Sequence, residues 1–253
     1  MSWRYAVSAP SYNSAINGNY GNYASYRDKN GGRSSSSSYY SMPRYSSERV
    51  YVRPSRMEVS DKTTGHHLQR ILHYSVAPCR PLPGSRPSEC AIHGVDCDEV
   101  YPGIYIGDAD SARNKVFLRI MGITHILNTA EGSRYGQVDT GHIFYRDMPN
   151  IRYMGFPMLD QPTTDISRYF YIASKFIENA ISSGGKVLVH CLVGMSRSAT
   201  CVLAHLMISK KMTAVEAIRT VRMRRDIRPN DGFLQQLADL DNELKREQTY
   251  SSY

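Results

Sequence analysis

The chain has no long apolar run. Its longest, CVLAHLMI (201–208), spans eight residues and includes a histidine, far short of a membrane span. The opening MSWRYAVSAP lacks the apolar core of a signal peptide. The five cysteines are scattered and odd in number, which excludes a disulfide-stapled miniprotein and fits free thiols in a reducing compartment. No glycine-every-third repeat and no sustained heptad occurs, so collagen and a coiled-coil rod are excluded as well. His66-His67 has no second ligand pair at a zinc spacing and reads as part of a loop. These absences describe a soluble protein of the cytoplasm or nucleus.

What is abundant is distributed unevenly. Lys and Arg outnumber Asp and Glu by 31 to 23, a formal charge of +8. Residues 1–95 carry 12 basic and 5 acidic groups, against 19 and 18 in residues 96–253. The excess is therefore mostly N-terminal, and the remainder is not built to grip nucleic acid. Fifteen serines fall within residues 1–60 and nine tyrosines by residue 51, with too few aliphatic side chains to offset the entropy of ordering. Residues 1–95 read as a disordered Ser/Tyr-rich basic tail, whose Pro78, Pro81, Pro83 and Pro87 form a stiff lead-in. A catalytic domain is expected over 96–247 and a short tail over 248–253.

From residue 96 the pattern alternates. GIYIGD (103–108), THILNT (124–129), IRYMGFPM (151–158) and KVLVH (186–190) read as strands, the first, second and last of them buried. Ser111–Met121 reads as a helix. Residues 166–182 place Ile166, Phe170, Ala173, Phe176, Ile177, Ala180 and Ile181 on one helical face, stopped by Gly184-Gly185. Ser198–Ser209 reads as a buried helix, Thr213 and Glu216 as a capping box, and 233–247 as a last helix burying Leu234, Leu237, Leu240 and Leu244. Strands alternating with helices predict an α/β domain with a mostly parallel central sheet flanked by helices.

The chemistry concentrates where the last apolar strand meets the buried helix, in VLVHCLVGMSRSAT (187–200). Cys-x5-Arg alone is weak, with roughly 0.45 chance occurrences in this composition; adding the preceding His and the Gly three residues on lowers that to about 0.001. A tight turn from a strand into a helix aims backbone N–H groups at one concavity, and the helix N-terminus adds to an anion site. Gly194 lets the backbone bend. Arg197 can place a guanidinium fork on two phosphate oxygens. Cys191, at the rim of that cradle, should be held as a thiolate, with a pKa in the range of roughly 3.5–7.5 known for activated thiols, facing a phosphate ester in line. Ser198 can donate to the thiolate when it departs. Cys201 falls inside the apolar helix and reads as core, and His190 as a structural hydrogen-bonding residue.

HCLVGMSRSAT resembles the His-Cys-x5-Arg-Ser/Thr signature of the protein tyrosine phosphatase superfamily. EVYPGIYIGD, GITHILNTAEG and RRDIRPNDGFLQQL resemble the small atypical dual-specificity members of the VH1-related kind. The resemblance covers residues 96–247 and implies a cysteine-dependent phosphatase fold. It also implies hydrolysis of phosphotyrosine and phosphoserine/phosphothreonine on proteins through a cysteinyl-phosphate, with no metal or organic cofactor. Leu192, Val193, Gly194, Met195, Ser196 and Arg197 then form the phosphate-binding loop. The tail is too short and too poor in apolar residues for a docking domain of the MAP-kinase phosphatase type.

The family mechanism needs an acid among 18 carboxylates. Resemblance points to Asp160, on the Pro-flanked loop after the third strand; Asp165, just before Ile166, is assigned to capping. None of Leu192, Val193, Met195 and Ser196 is cationic, which argues for a phosphoprotein over a phosphoinositide or an RNA 5′-triphosphate. Resemblance also places Arg225 near the cleft, where it would bind a second phosphate. Two rivals remain open: a phosphoprotein-binding scaffold without catalysis, and an interaction protein whose tail is the functional element.

Overall fold

The computed structural model describes residues 62–77 and 95–250. The expectations for 1–61, for the proline-rich lead-in after residue 77 and for 251–253 lie outside the described residues. The fold is α/β, with a five-stranded, mostly parallel sheet. Strands β1 (Cys97–Tyr101), β2 (Ile104–Gly107), β3 (His125–Asn128), β4 (Arg152–Gly155) and β5 (Val187–His190) lie in the order β1-β2-β5-β3-β4. Only the β1–β2 pair is antiparallel.

The period-2 alternation of the strands divides the core between the two faces of the sheet. Ile104 and Ile106, Leu127, Val187 and Val189 point into a large cluster with helices α4 (Phe170–Ser182), α5 (Arg197–Lys210), α6 (Ala214–Arg222) and α7 (Asp231–Tyr250). Tyr105, Ile126 and Leu188 point the other way, onto Phe117 and Leu118 of α3 (Lys115–Met121) and onto Tyr145 and Met148. Helix α5 is buried on every side from Arg197 to Met207, which suits a helix laid across the centre of the sheet.

Several elements differ from the sequence reading. The helix expected over 111–121 is two, α2 (Ala109–Arg113) and α3. They break at Asn114, whose backbone N–H closes the first while its side chain accepts from Phe117 N at 2.9 Å to open the second. The third strand is only four residues long and half-exposed, as an edge strand tolerates. Strand β1 was not expected. Its charged CDEVY pairs only with β2, and Gly103 (φ +76°) makes the connection between them.

The tail boundary is corrected at two places. Residues Gly65–Tyr74 form a helix, α1, opened by Thr64, whose side chain accepts from His67 N. Leu68 and Leu72 are buried in the main cluster, so this stretch belongs to the domain, and His66 and His67 sit on a helix rather than a loop. Thr63 Oγ1 donates to Asp241, whose other oxygen accepts from Ala214 N, the first residue of α6, at 2.8 Å. Gly65 packs so closely on α7 that a Cβ there would stand 2.9 Å from Gln235 Cα. At the other end α7 continues to Tyr250, so 248–250 are helical rather than tail.

Candidate active site

Strand β5 is central, flanked by β2 and β3, and delivers Cys191 to its C-terminal end. The following five residues form the loop, closed by Arg197, at which α5 starts. The chain turns at Gly194, with φ +74°, where a Cβ would lie 2.6 Å from Gly107 O and 2.7 Å from Arg225 Nη2. Only glycine fits.

The loop carbonyls all face donors behind it. Leu192 O accepts from Ala109 N, Val193 O from Arg225 Nη2, Gly194 O from Arg225 Nε at 2.7 Å and Met195 O from Arg228 N at 2.8 Å. In a trans peptide the following N–H points opposite to its carbonyl. The amides of Val193, Gly194, Met195 and Ser196 are therefore turned together to the front. The side chain of Ser196 makes no capping bond to α5, so the first N–H groups of that helix are not taken by it either. Four convergent amides and a helix N-terminus make an anion cradle.

Cys191 sits at its floor, 1 % exposed, against Ala109, Ala130 and Val138. Gly194 N donates to Cys191 Sγ at 3.2 Å, and Ser198 Oγ lies 3.4 Å from it. Burial alone would push this thiol up. The Arg197 guanidinium, the hydroxyl and amide of Ser198 and the amide of Gly194 outweigh it and hold the thiol below its ordinary value. Cys201, also wholly buried, lacks such donors and is pushed up, as expected of a core residue. The His190 imidazole contacts Cys191 O at 3.5 Å, and burial lowers its pKa to about 3, so it stays neutral.

Arg197 is 3 % exposed. Its Nη1 donates to Gly136 O at 2.8 Å and Met158 O at 3.0 Å, anchoring two neighbouring loops. Its Nε is buried without a hydrogen-bond partner, so the Nε edge of the guanidinium remains for a ligand. Asp160 stands beside that edge, Oδ2 3.5 Å from Nε. Its other oxygen accepts from Ser196 Oγ and Asn230 Nδ2, each at 2.8 Å.

Asn230 was not anticipated. Its Oδ1 accepts from Phe233 N at 3.0 Å, so it opens α7 while its amide holds Asp160. The signal was available, since an Asn before an apolar helix is an N-cap pattern. Gln236 also escaped notice: its Oε1 accepts from Ile166 N and Ser167 N, and its Nε2 donates to Thr164 O, all at 2.9 Å. The loop bearing Asp160 is thus clamped to the start of α7, where Gly232 has no room for a Cβ against Pro162 O. Asp165 is exposed and takes the Ser167 hydroxyl at 2.7 Å. That hydroxyl and the N–H groups of Arg168 and Ser167 outweigh a small burial effect and hold its carboxyl low. The capping expected of Asp165 falls instead to Gln236, which takes the Ile166 and Ser167 N–H groups.

Cys191, Asp160, Arg197, Ser198, Gly194 and Ser196 therefore come together, with Leu192 and Val193 exposed at the rim and Met195 half-buried. Arg225 does not join them at the front. It is 1 % exposed, and its Nη1 is bound to Asp96 Oδ1 and Asp98 Oδ2 at 2.9 and 2.7 Å. The expectation that it binds a second phosphate is at odds with that burial.

Comparison with known proteins gives the family. Residues 104–243 match the family described as dual specificity phosphatase, catalytic domain. The chain is 52 % identical over 151 residues to human dual specificity protein phosphatase 13B, covering 59 % of this chain and 75 % of that one. It is 48 % identical over 150 residues to human dual specificity protein phosphatase 26, covering 59 % and 69 %. A crystal structure of a human DUSP28 variant superposes with a TM-score of 0.53 at 25 % identity, over 60 % of this chain and 98 % of that one. The chain belongs to the dual specificity phosphatases, hydrolases of phosphoproteins.

Proposed function

We propose that Cys191 is the nucleophile and Asp160 the general acid and base of this phosphatase. The observation that carries the reading is the convergence on one buried sulfur of the Gly194 amide and the Ser198 hydroxyl, inside a loop whose carbonyls are all turned away. The phosphate dianion binds the loop amides and the Nε edge of Arg197. The Cys191 thiolate attacks phosphorus in line, forming S–P as the ester P–O bond breaks, and Asp160 gives its proton to the leaving oxygen. In the second step Asp160 takes a proton from water as its oxygen attacks phosphorus. The S–P bond breaks, Ser198 Oγ–H meets the departing thiolate, and inorganic phosphate leaves. All of these steps draw on side chains and backbone alone.

A loop without lysine, with Leu192 and Val193 at its mouth, supports phosphotyrosine and phosphoserine/phosphothreonine of proteins as substrates, over multiply charged lipid headgroups and nucleic acids. The free thiols Cys97, Cys191 and Cys201 support a reducing compartment, cytosol or nucleus. No helix among the described residues is long and apolar enough to cross a membrane. We take the catalytic unit to begin at residue 62, with α1 included. Phosphopeptide turnover by the full chain and by Cys191→Ser tests the assignment. Appreciable turnover by the serine variant would refute the thiolate mechanism.

A further inference from the structure

Arg225 is a second buried arginine at the phosphate loop, and the steps above give it no part. It lies just beyond α6, on the opposite side of the loop from Arg197. Four of its five N–H donors are engaged: Nε by Gly194 O, one Nη2 hydrogen by Val193 O, and both Nη1 hydrogens by Asp96 and Asp98. Asp96 immediately precedes β1 and Asp98 lies within it, a strand that does not contact substrate in the mechanism above.

The need for such a fixture follows from the glycine. With φ at +74° and no Cβ, Gly194 leaves the peptide planes on either side of it cheap to rotate. A flip of either plane would turn a carbonyl oxygen into the cradle and an amide out of it, replacing attraction for phosphate by repulsion. Arg225 bonds both of those carbonyls, Val193 O and Gly194 O, from behind. It can do so without drawing phosphate to itself, because Asp96 and Asp98 balance its charge where it sits.

We propose that Arg225 is a positioning residue of the phosphatase site. In this arrangement it locks the Val193–Gly194 and Gly194–Met195 peptides with their amides facing the substrate, anchored through Asp96 and Asp98 to β1, and it does not bind a second phosphate. This rests on the reading of Cys191 and its loop as the phosphate cradle.

The test compares the full chain with Arg225→Gln, Arg225→Lys and Asp98→Asn. Three readouts are used: kcat and KM on p-nitrophenyl phosphate and on singly and doubly phosphorylated peptides, inhibition by inorganic phosphate, and the pH dependence of Cys191 alkylation by iodoacetate. Arg225→Gln should weaken phosphate inhibition and raise KM by about tenfold, the scale of one or two lost charge-assisted hydrogen bonds. The factor should be the same for all three substrates, and the alkylation profile should move to higher pH. Lysine should restore only part of this, since it cannot bond two carbonyls and two carboxylates at once. Asp98→Asn, which keeps the arginine, should move the same parameters in the same direction by a few-fold.

A loss confined to the doubly phosphorylated peptide would overturn the proposal and make Arg225 a substrate ligand. So would an Asp98→Asn variant with unchanged phosphate inhibition and alkylation profile, which keeps the test decisive if Arg225→Gln fails to fold. Failure of the underlying reading looks different: the unmodified chain itself would then show no alkylation-sensitive turnover.

Discussion

Arg197 and Arg225 lie on opposite sides of one loop, both almost wholly buried, and differ in what holds them. In front, Arg197 spends one nitrogen on Gly136 O and Met158 O and keeps Nε without a hydrogen-bond partner, beside a carboxylate that is one-third exposed. Behind, Arg225 is surrounded by acceptors that belong to the fold: two carbonyls and two carboxylates. Burial alone therefore does not mark an arginine as functional. The informative quantity is the number of donors left over once the fold has taken its share, because those can exchange partners during a reaction.

The contrast can be broken most directly at the sulfur. Cys191→Ser should abolish turnover yet leave vanadate or phosphate binding measurable by calorimetry, because the amides and Arg197 remain. Residual phosphatase activity well above background would place the nucleophile elsewhere. Arg197→Lys comes next, with a loss of at least ~10²-fold in kcat/KM expected, since a point charge cannot reproduce the fork nor anchor two loops. A few-fold effect would erase the distinction between front and back.

Asp160→Asn should lower kcat on phosphotyrosine by roughly 10²-fold and matter far less for an aryl phosphate with a good leaving group. The acid limb of the pH profile, where Cys191 ionises, should persist in the variant. Asp165→Asn is the control and should change neither kcat nor that limb. Asn230 sharpens the picture further. Asn230→Asp keeps an oxygen to open α7 but replaces a donor to Asp160 by a like charge, so kcat on phosphotyrosine should fall while the helix stays capped. Asn230→Ala should lower kcat several-fold and stability by ~1 kcal/mol, the usual scale for a lost helix cap.

The smallest effect at neutral pH concerns histidines. Burial lowers His190 to about 3 and His205 to about 4, from an ordinary value near 6.5. Below pH 6.5 the unfolded chain takes up protons that the folded one refuses, so stability should fall on acidification by about 1.4 kcal/mol per pH unit per histidine. The loss should level off only below the folded values. A melting temperature that stays flat from pH 7 to pH 5 would contradict this.

How legible this was in the sequence depended on how local the cause is. Cys191, Gly194, Arg197 and Ser198 lie within eight consecutive residues, and a strand–turn–helix makes their roles readable from spacing. The buried strands β2, β3 and β5 announce themselves as short aliphatic runs. Strand β1 does not, because CDEVY is charged and is held by one neighbour and by Arg225 from 127 residues away. Arg225 could be placed near the site but not behind it, since its orientation is decided by Asp96 and Asp98. The ten residues of α1 are too few to stand out from the Ser/Tyr-rich stretch before them, and their burial depends on α6 and α7.

That last dependence has a consequence for biosynthesis. The helix α1 leaves the ribosome early, whereas the surface that covers Leu68 and Leu72 is made near the end: Thr63 waits for Asp241, 178 residues later. The two leucines stay without their native neighbours for most of translation, a natural stretch for a chaperone to hold. A message truncated before Asn230 would yield a product carrying Cys191 and Arg197 intact but lacking Asn230, α7 and the clasp on α1. Such a fragment should fail to accumulate in soluble form, although every residue of its phosphate loop is present.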